Sequence, residues 1–316
     1  MPGFRFFPPH FRGRTNFHLV RLVELGEFYA LACALVWAFA VILFRKSGET
    51  FPPLALNLFR STLSCVLFVV TLMIMGTPLW GQAPLMDYLI LIASGLIAIA
   101  IADTLFHASL NRVGAGINAI VDLLYSPFII LFAYFMLGER LGLSQFLGMG
   151  LVLSGVLVST RVRAPQGSSR RDLGVGILLG AFAMAFLSFG IVLAKPVLER
   201  SDVVWATAVR QFGSLLGLVP AALMSRSRGR LFSIFRPQAA WKFSIPGTVL
   251  GSYLALMLWV AGMKFNTAGK ASILNQTSTI YLLLFASLFL KEPFTRKKFL
   301  AVGLALAGVL LVLDVF

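Results

Sequence analysis

Residues 45–61, RKSGETFPPLALNLFRS, recur in outline at residues 195–211, KPVLERSDVVWATAVRQ. In each stretch a cation closes a long apolar run, a short break follows, and an arginine stands early in the next run: Arg45 then Arg60, Lys195 then Arg210. The offset between the copies is 150 residues. Farther along it is 153: Gly116 of VGAG matches Gly269 of NTAG, Glu139 of LGERL matches Glu292 of LKEPF, and Gly150 and Gly155 match Gly303 and Gly308. Self-similarity at a fixed spacing marks one structural unit used twice.

The unit consists of apolar runs. The chain has 316 residues, 59% hydrophobic and 12% charged, with mean hydropathy +0.89, whereas soluble domains carry about 25% charged residues. A spanning helix needs about 20 mostly apolar residues. Ten segments qualify, near 28–44, 54–75, 88–110, 115–137, 143–160, 174–194, 203–224, 243–263, 271–290 and 299–313. The expected fold is an all-α membrane protein with ten transmembrane helices in two five-helix repeats around a central cavity. An odd number of crossings per copy forces the copies to insert with opposite orientation, the inverted-repeat plan of carriers that alternate between two open states. The corresponding organisation is an N-terminal surface tail at 1–27, repeats at 28–160 and 174–316, and a basic linker at 161–173.

The net charge of +15 comes from 27 Lys and Arg against 12 Asp and Glu. These cations cluster between apolar runs, as expected of loops and headgroup-facing helix ends and not of a nucleic-acid surface. Residues 1–27 mix Arg, Phe and Pro without an apolar core, unlike a cleavable signal. Cys33 and Cys65 each sit inside an apolar run, so two buried thiols are expected instead of a disulfide. Glycine pairs four apart, Gly176/Gly180, Gly213/Gly217 and Gly247/Gly251, fit close helix packing within a monomer and do not establish a dimer; a monomer or weak homodimer is expected.

Trp37 in the first helix, Arg60 and Arg210 early in the second helix of each half, Ser126-Pro127 in the fourth, Thr279 in the ninth, the L-x-E turns and the spaced-glycine helices together resemble the EamA-type branch of the drug/metabolite transporter superfamily. The resemblance spans about residues 28–314. It implies a basket of ten helices used to export metabolites, amino acids or drugs, in a bacterial inner membrane. Two departures are Ala38, where the family has Gly, and the lack of Ser-Pro in the second half.

Polar residues inside the runs are functional candidates, because an ionisable group in a spanning helix costs several kcal/mol unless paired or hydrated. Asp103, His107 and Asn111 share one face at i, i+4, i+8. Asp103 and His107 are proton-coupling candidates; the alternative is a stripe satisfied by a neighbouring helix. Trp37, Asn118, Asp122, Tyr125, Ser126, Tyr253, Asn275, Gln276 and Thr279 are candidates for the substrate cavity, with helix packing as the alternative. Arg60 and Arg210 are assigned to anion or headgroup contacts, and their position within the first two turns favours snorkelling to the headgroups. The Glu139 and Glu292 turns read as caps on the ends of the fourth and ninth helices.

Several classes are excluded. The sequence has no G-x-x-x-x-G-K-[ST] loop and no H-E-x-x-H pair, and only three histidines, His10, His18 and His107. No metal or cofactor is implied. The leading reading is a secondary transporter acting on a small-molecule substrate. The alternatives are a membrane-embedded enzyme working on a lipid with Asp103 and His107 as acid and base, or a passive uniporter or channel. Loop charge, about 9 Lys and Arg on the N-terminal side against about 16 on the other, places the termini outside by the positive-inside rule. The family resemblance places them inside.

Overall fold

The computed structural model describes residues 12–138, 143–160, 169–293 and 295–312, which form helices and connecting turns with no strand among them. Residues 1–11, the Glu139-Arg140 turn and residues 161–168 of the basic linker lie outside the described residues. Helix α1 runs Arg12–Ser47, so the second part of the expected surface tail is helical and continuous with the first apolar run. Next come α2 (Pro53–Met75), α3 (Leu85–Gly95) and, after a π-helical turn at Leu96–Ile101, α4 (Ala102–Asp122). Helices α5 (Tyr125–Leu137), α6 (Leu143–Thr160), α7 (Arg170–Arg200), α8 (Val203–Met224) and the short α9 (Arg228–Phe232) follow. A second π-helical turn, Thr248–Ala255, joins α10 (Trp241–Gly247) to α11 (Leu256–Phe265), before α12 (Ala268–Asn275), α13 (Ser278–Leu290) and α14 (Arg296–Val312).

Six stretches are long and apolar enough to cross a membrane: Leu25–Ser47, Pro53–Met75, Leu85–Asp122, Arg170–Arg200, Val203–Met224 and Trp241–Phe265. Met73, Ile74, Phe135, Met224 and Leu288 are more than two-thirds exposed on the outside. Contiguous outward apolar surface of this kind suits lipid. The protein is an integral, multi-pass membrane protein.

Local sequence explains the helix ends. Pro53 opens α2, where its missing N–H costs nothing, and Gly76 closes it at φ 65°. Ser169 and Asp172 form a reciprocal capping box on α7, and Asp202 accepts the Trp205 N–H at 2.9 Å at the start of α8. Gly138 ends α5 at φ 70°. The matching residue at the end of α13 is Lys291, held left-handed at φ 54°. Side chains with a Cβ pay for that conformation, so Lys291→Gly is expected to raise stability by about 0.5–1 kcal/mol, read as a higher melting temperature in detergent. No change would mean that Lys291 gains a compensating contact.

Two expected runs, 115–137 and 271–290, are broken inside, and the boundary before each is a second turn. Gly114, at φ 78°, interrupts α4, and Leu123 and Leu124 separate α4 from α5. The second half repeats both features: Asn266 and Thr267 separate α11 from α12, and Gln276 and Thr277 separate α12 from α13. In the first half Pro127 cannot donate to the carbonyl four residues back, Leu123; at the matching place in the second half the Ile280 N–H turns instead to the Thr277 carbonyl at 3.1 Å. Gln276 covers the freed backbone: its Nε2 donates to the Asp122 carbonyl at 3.1 Å, to Ser126 Oγ at 3.2 Å and, more weakly, to the Leu123 carbonyl at 3.5 Å. The two breaks thus face each other across the protein.

Helices α3 and α8 touch backbone to backbone, since a Cβ on Gly95 would lie 1.8 Å from the Arg210 carbonyl oxygen. Glu292 departs from the expectation of a cap on its own helix. Its carboxylate accepts the N–H groups of Ala115 (2.8 Å) and Gly116 (2.9 Å), just beyond the Gly114 break, and pairs with Lys298 at 3.2 Å. It caps a segment of the other half.

Candidate functional site

Helices α2 and α8 each carry a polar stripe at i, i+3, i+4, i+7. Asn57, Arg60, Ser61 and Ser64 are all buried, and so are Thr207, Arg210, Gln211 and Ser214. Away from water such stripes need partners, and Asn57 and Arg60 find theirs at the π-helical turns. Asn57 Nδ2 donates to the Ile99 carbonyl (2.8 Å), the Ala100 carbonyl (3.2 Å) and Thr104 Oγ1 (2.9 Å), in the region where wider helical winding changes the backbone bonding.

The two arginines reach across the protein in a reciprocal way. Arg60 Nε donates to Ser252 Oγ at 2.7 Å, in the second π-helical turn, and Arg210 Nε donates to Ser94 Oγ at 3.0 Å, just before the first. Their outer nitrogens differ. Arg60 Nη2 pairs with Asp103 at 3.2 Å, Nη1 donates to His107 Nε2, and the guanidinium lies 4.4 Å from the centroid of Phe44. A guanidinium has only donors, so His107 Nε2 is the acceptor in this contact. Arg210 lies 5.3 Å from the centroid of Trp259, and no described protein group bonds to its Nη1 or Nη2. The expectation that these arginines snorkel is overturned: Arg60 is 3% and Arg210 0% exposed. Both stripes face inward, so two helical turns of depth put the guanidinium in the interior.

Between the stripes, the π-helical turns and the break after Asp122 lies a cavity of about 100 Å³. Of the residues expected to line it, Trp37, Asp122, Tyr125, Asn275 and Gln276 do so. Four do not: Asn118 is buried and donates to Asp122 at 3.3 Å, Ser126 accepts from Gln276, Thr279 bonds the Ala119 carbonyl at 3.3 Å, and Tyr253 pairs with Thr71 at 2.6 Å. The first lies within α4, and the other three join different parts of the chain. Asp103 lines the cavity while His107 does not, and Arg60 stands between them. Both arginines, Gln211 and Ser252 are also in the lining. The sequence signal for Gln211 was the α8 stripe; Ser252 carries none, because its importance rests on a helix 192 residues away. Cys33, also in the lining, and Cys65 are free and buried, as expected.

A family model described as the EamA-like transporter family matches residues 24–161 and again 174–314, nearly the whole chain. The chain belongs to that family. Its double match falls on the two halves delimited by the sequence offsets. An uncharacterized transporter of Archaeoglobus fulgidus is 23% identical over 284 residues, covering 90% of this chain and 96% of the relative. One of Methanothermobacter thermautotrophicus is 27% identical over 225 residues, covering 71% of this chain and 64% of the relative. A solved crystal structure superposes with a TM-score of 0.68 at 17% identity, over 90% of this chain and 95% of the other, and shares the fold.

Proposed function

We propose that this member of the EamA-like family is a secondary transporter that exports a small metabolite, amino acid or drug by alternating access, through ten membrane crossings in two inverted halves. The observation that carries the reading is the reciprocal bonding of Arg60 to Ser252 and Arg210 to Ser94. Each half's second helix is tied into the other half's third at the walls of one cavity, the arrangement two inverted copies generate around a shared site. The crossing count rests on length. Leu85–Asp122 has 38 residues, far beyond one crossing of about 20, and Gly114 divides it. Its last part with α5 makes one crossing, α12 with α13 another, and the packed pair α6 and α14 two more. The cations at the start of the repeat support the same duplication: Arg45 donates to the Asn111 carbonyl at 3.5 Å, and Lys195 to the carbonyls of Met263 (2.7 Å) and Asn266 (3.0 Å).

Proton coupling is assigned to Asp103, through its ion pair with Arg60. Protonating the carboxylate removes that ion pair and leaves Arg60 held by Ser252 and His107. The enzyme alternative is less well supported, because Arg60 occupies the space between the proposed acid and base.

The test is counterflow in proteoliposomes with amino acids, nucleosides, organic acids and cationic drugs at two pH values. Trans-stimulation by at least one class is expected, and Asp103→Asn should flatten its pH dependence. A channel would show flux without trans-stimulation and an enzyme would return an altered molecule; either would overturn the reading.

A further inference from the structure

Arg60 and Arg210 occupy the same position of the repeat, 150 residues apart, yet only one of them has a counter-charge. Every nitrogen of Arg60 is engaged, by Asp103, His107 and Ser252. Arg210 lines the cavity, is fully buried and is fixed by Ser94 through Nε alone, and its Nη1 and Nη2 are buried with no acceptor among the described residues. Among the described residues it has no ion-pair partner within 4.0 Å. The neighbouring Gln211, 1% exposed, likewise has neither amide atom bonded.

A buried guanidinium without a counter-charge is costly. Such a cost is tolerated at a site where a ligand supplies the missing partner. The geometry points to Arg210 as the recognition residue for a small organic monoanion, a carboxylate attached to a flat apolar body, carried by this transporter. The inference rests on the transport reading for what happens after binding, not for binding itself.

Three features select this chemistry. The free edge of Arg210 offers two parallel N–H donors, the match for a planar carboxylate. Only one cationic charge is uncompensated, since Arg60 is neutralised by Asp103, so a doubly charged oxyanion would leave excess charge in the cavity. The remaining lining includes Trp259, Trp37 and Phe106, rings that receive an apolar face. Asp122, the other carboxyl in the lining, accepts a hydrogen bond from Asn118 one turn earlier on its own helix.

Purified full-length protein in detergent should be titrated with phenylacetate, phenylacetamide and phenethylamine, following tryptophan fluorescence, which Trp259 beneath the guanidinium reports. The same three compounds should then be used in counterflow. Phenylacetate is expected to bind saturably and at least 10-fold more tightly than the other two. Loss of a charge-assisted contact weakens binding by about 10- to 100-fold, so Arg210→Gln should abolish the preference for the acid, and Arg210→Lys should retain part of it. If phenylacetamide binds as well as phenylacetate, or if none of the three binds, the anion site is overturned by the wild-type protein alone, whether or not the variants fold. Exchange of the amine or amide but not the acid would also overturn it while leaving transport standing. Arg210-dependent binding of the acid without exchange would uphold the site and overturn the transport reading.

Discussion

Arg60→Met is expected to destabilise the protein by about 3–5 kcal/mol, the usual cost of removing one partner of a buried ion pair. The substitution preserves volume, so packing is not the issue. It leaves the Asp103 carboxylate, His107 Nε2 and Ser252 Oγ without their shared donor. Asp103 is 15% exposed through the cavity, so hydration relieves part of the cost and the lower end of the range applies. Arg60→Met/Asp103→Asn removes both charges and should recover at least half of the loss. Melting temperatures of both single variants and the double variant, measured in one detergent, give the coupling directly. Additive losses would show that Arg60 is held by packing against Phe44 and not by its charge.

Sequence made some of this triad legible and hid the rest. The i, i+4 spacing placed Asp103 and His107 on one face because helix geometry is local. The residue that bridges them comes from another helix, and no period within one helix reveals a partner 43 or 47 residues away. The duplication was legible for a similar reason: offsets of 150 and 153 survive in Arg60/Arg210 and Glu139/Glu292 however the copies pack. Depth was misjudged where distance from the helix start stood in for direction. The stripes Asn57-Arg60-Ser61-Ser64 and Thr207-Arg210-Gln211-Ser214 already indicated that both arginines face inward. The π-helical turns and the break at Leu123 were not legible beyond the Ser126-Pro127 kink, since apolar runs such as LIASGLIAIAIAD look alike whether regular or overwound.

Glu292→Ala is expected to have the largest effect of any substitution outside the cavity. Gly114 turns the chain at φ 78°, which leaves the first N–H groups of the following helical segment without intrahelical partners and with the positive end of its dipole exposed. Glu292 answers both needs at once, one oxygen on Ala115 and the other on Gly116. Charge-assisted bonds contribute about 1.5–3 kcal/mol each, so losing both costs about 3–6 kcal/mol. Lys298, 5% exposed, would also lose its counter-charge. The approach is close: a Cβ on Gly116 would lie 2.5 Å from Lys298 Nζ. The far end of the same segment is Asp122, in the cavity wall, so loosening its start should slow exchange even at temperatures where the protein remains folded. Glu292→Gln keeps the shape and one acceptor and should lose about half the stability; adding Lys298→Met should restore part of what the unpaired ammonium costs. Melting curves and counterflow rates at low temperature, taken on the same preparations, separate the two effects. Wild-type behaviour of Glu292→Gln in both assays would mean that the carboxylate charge does not hold the two halves together at this contact.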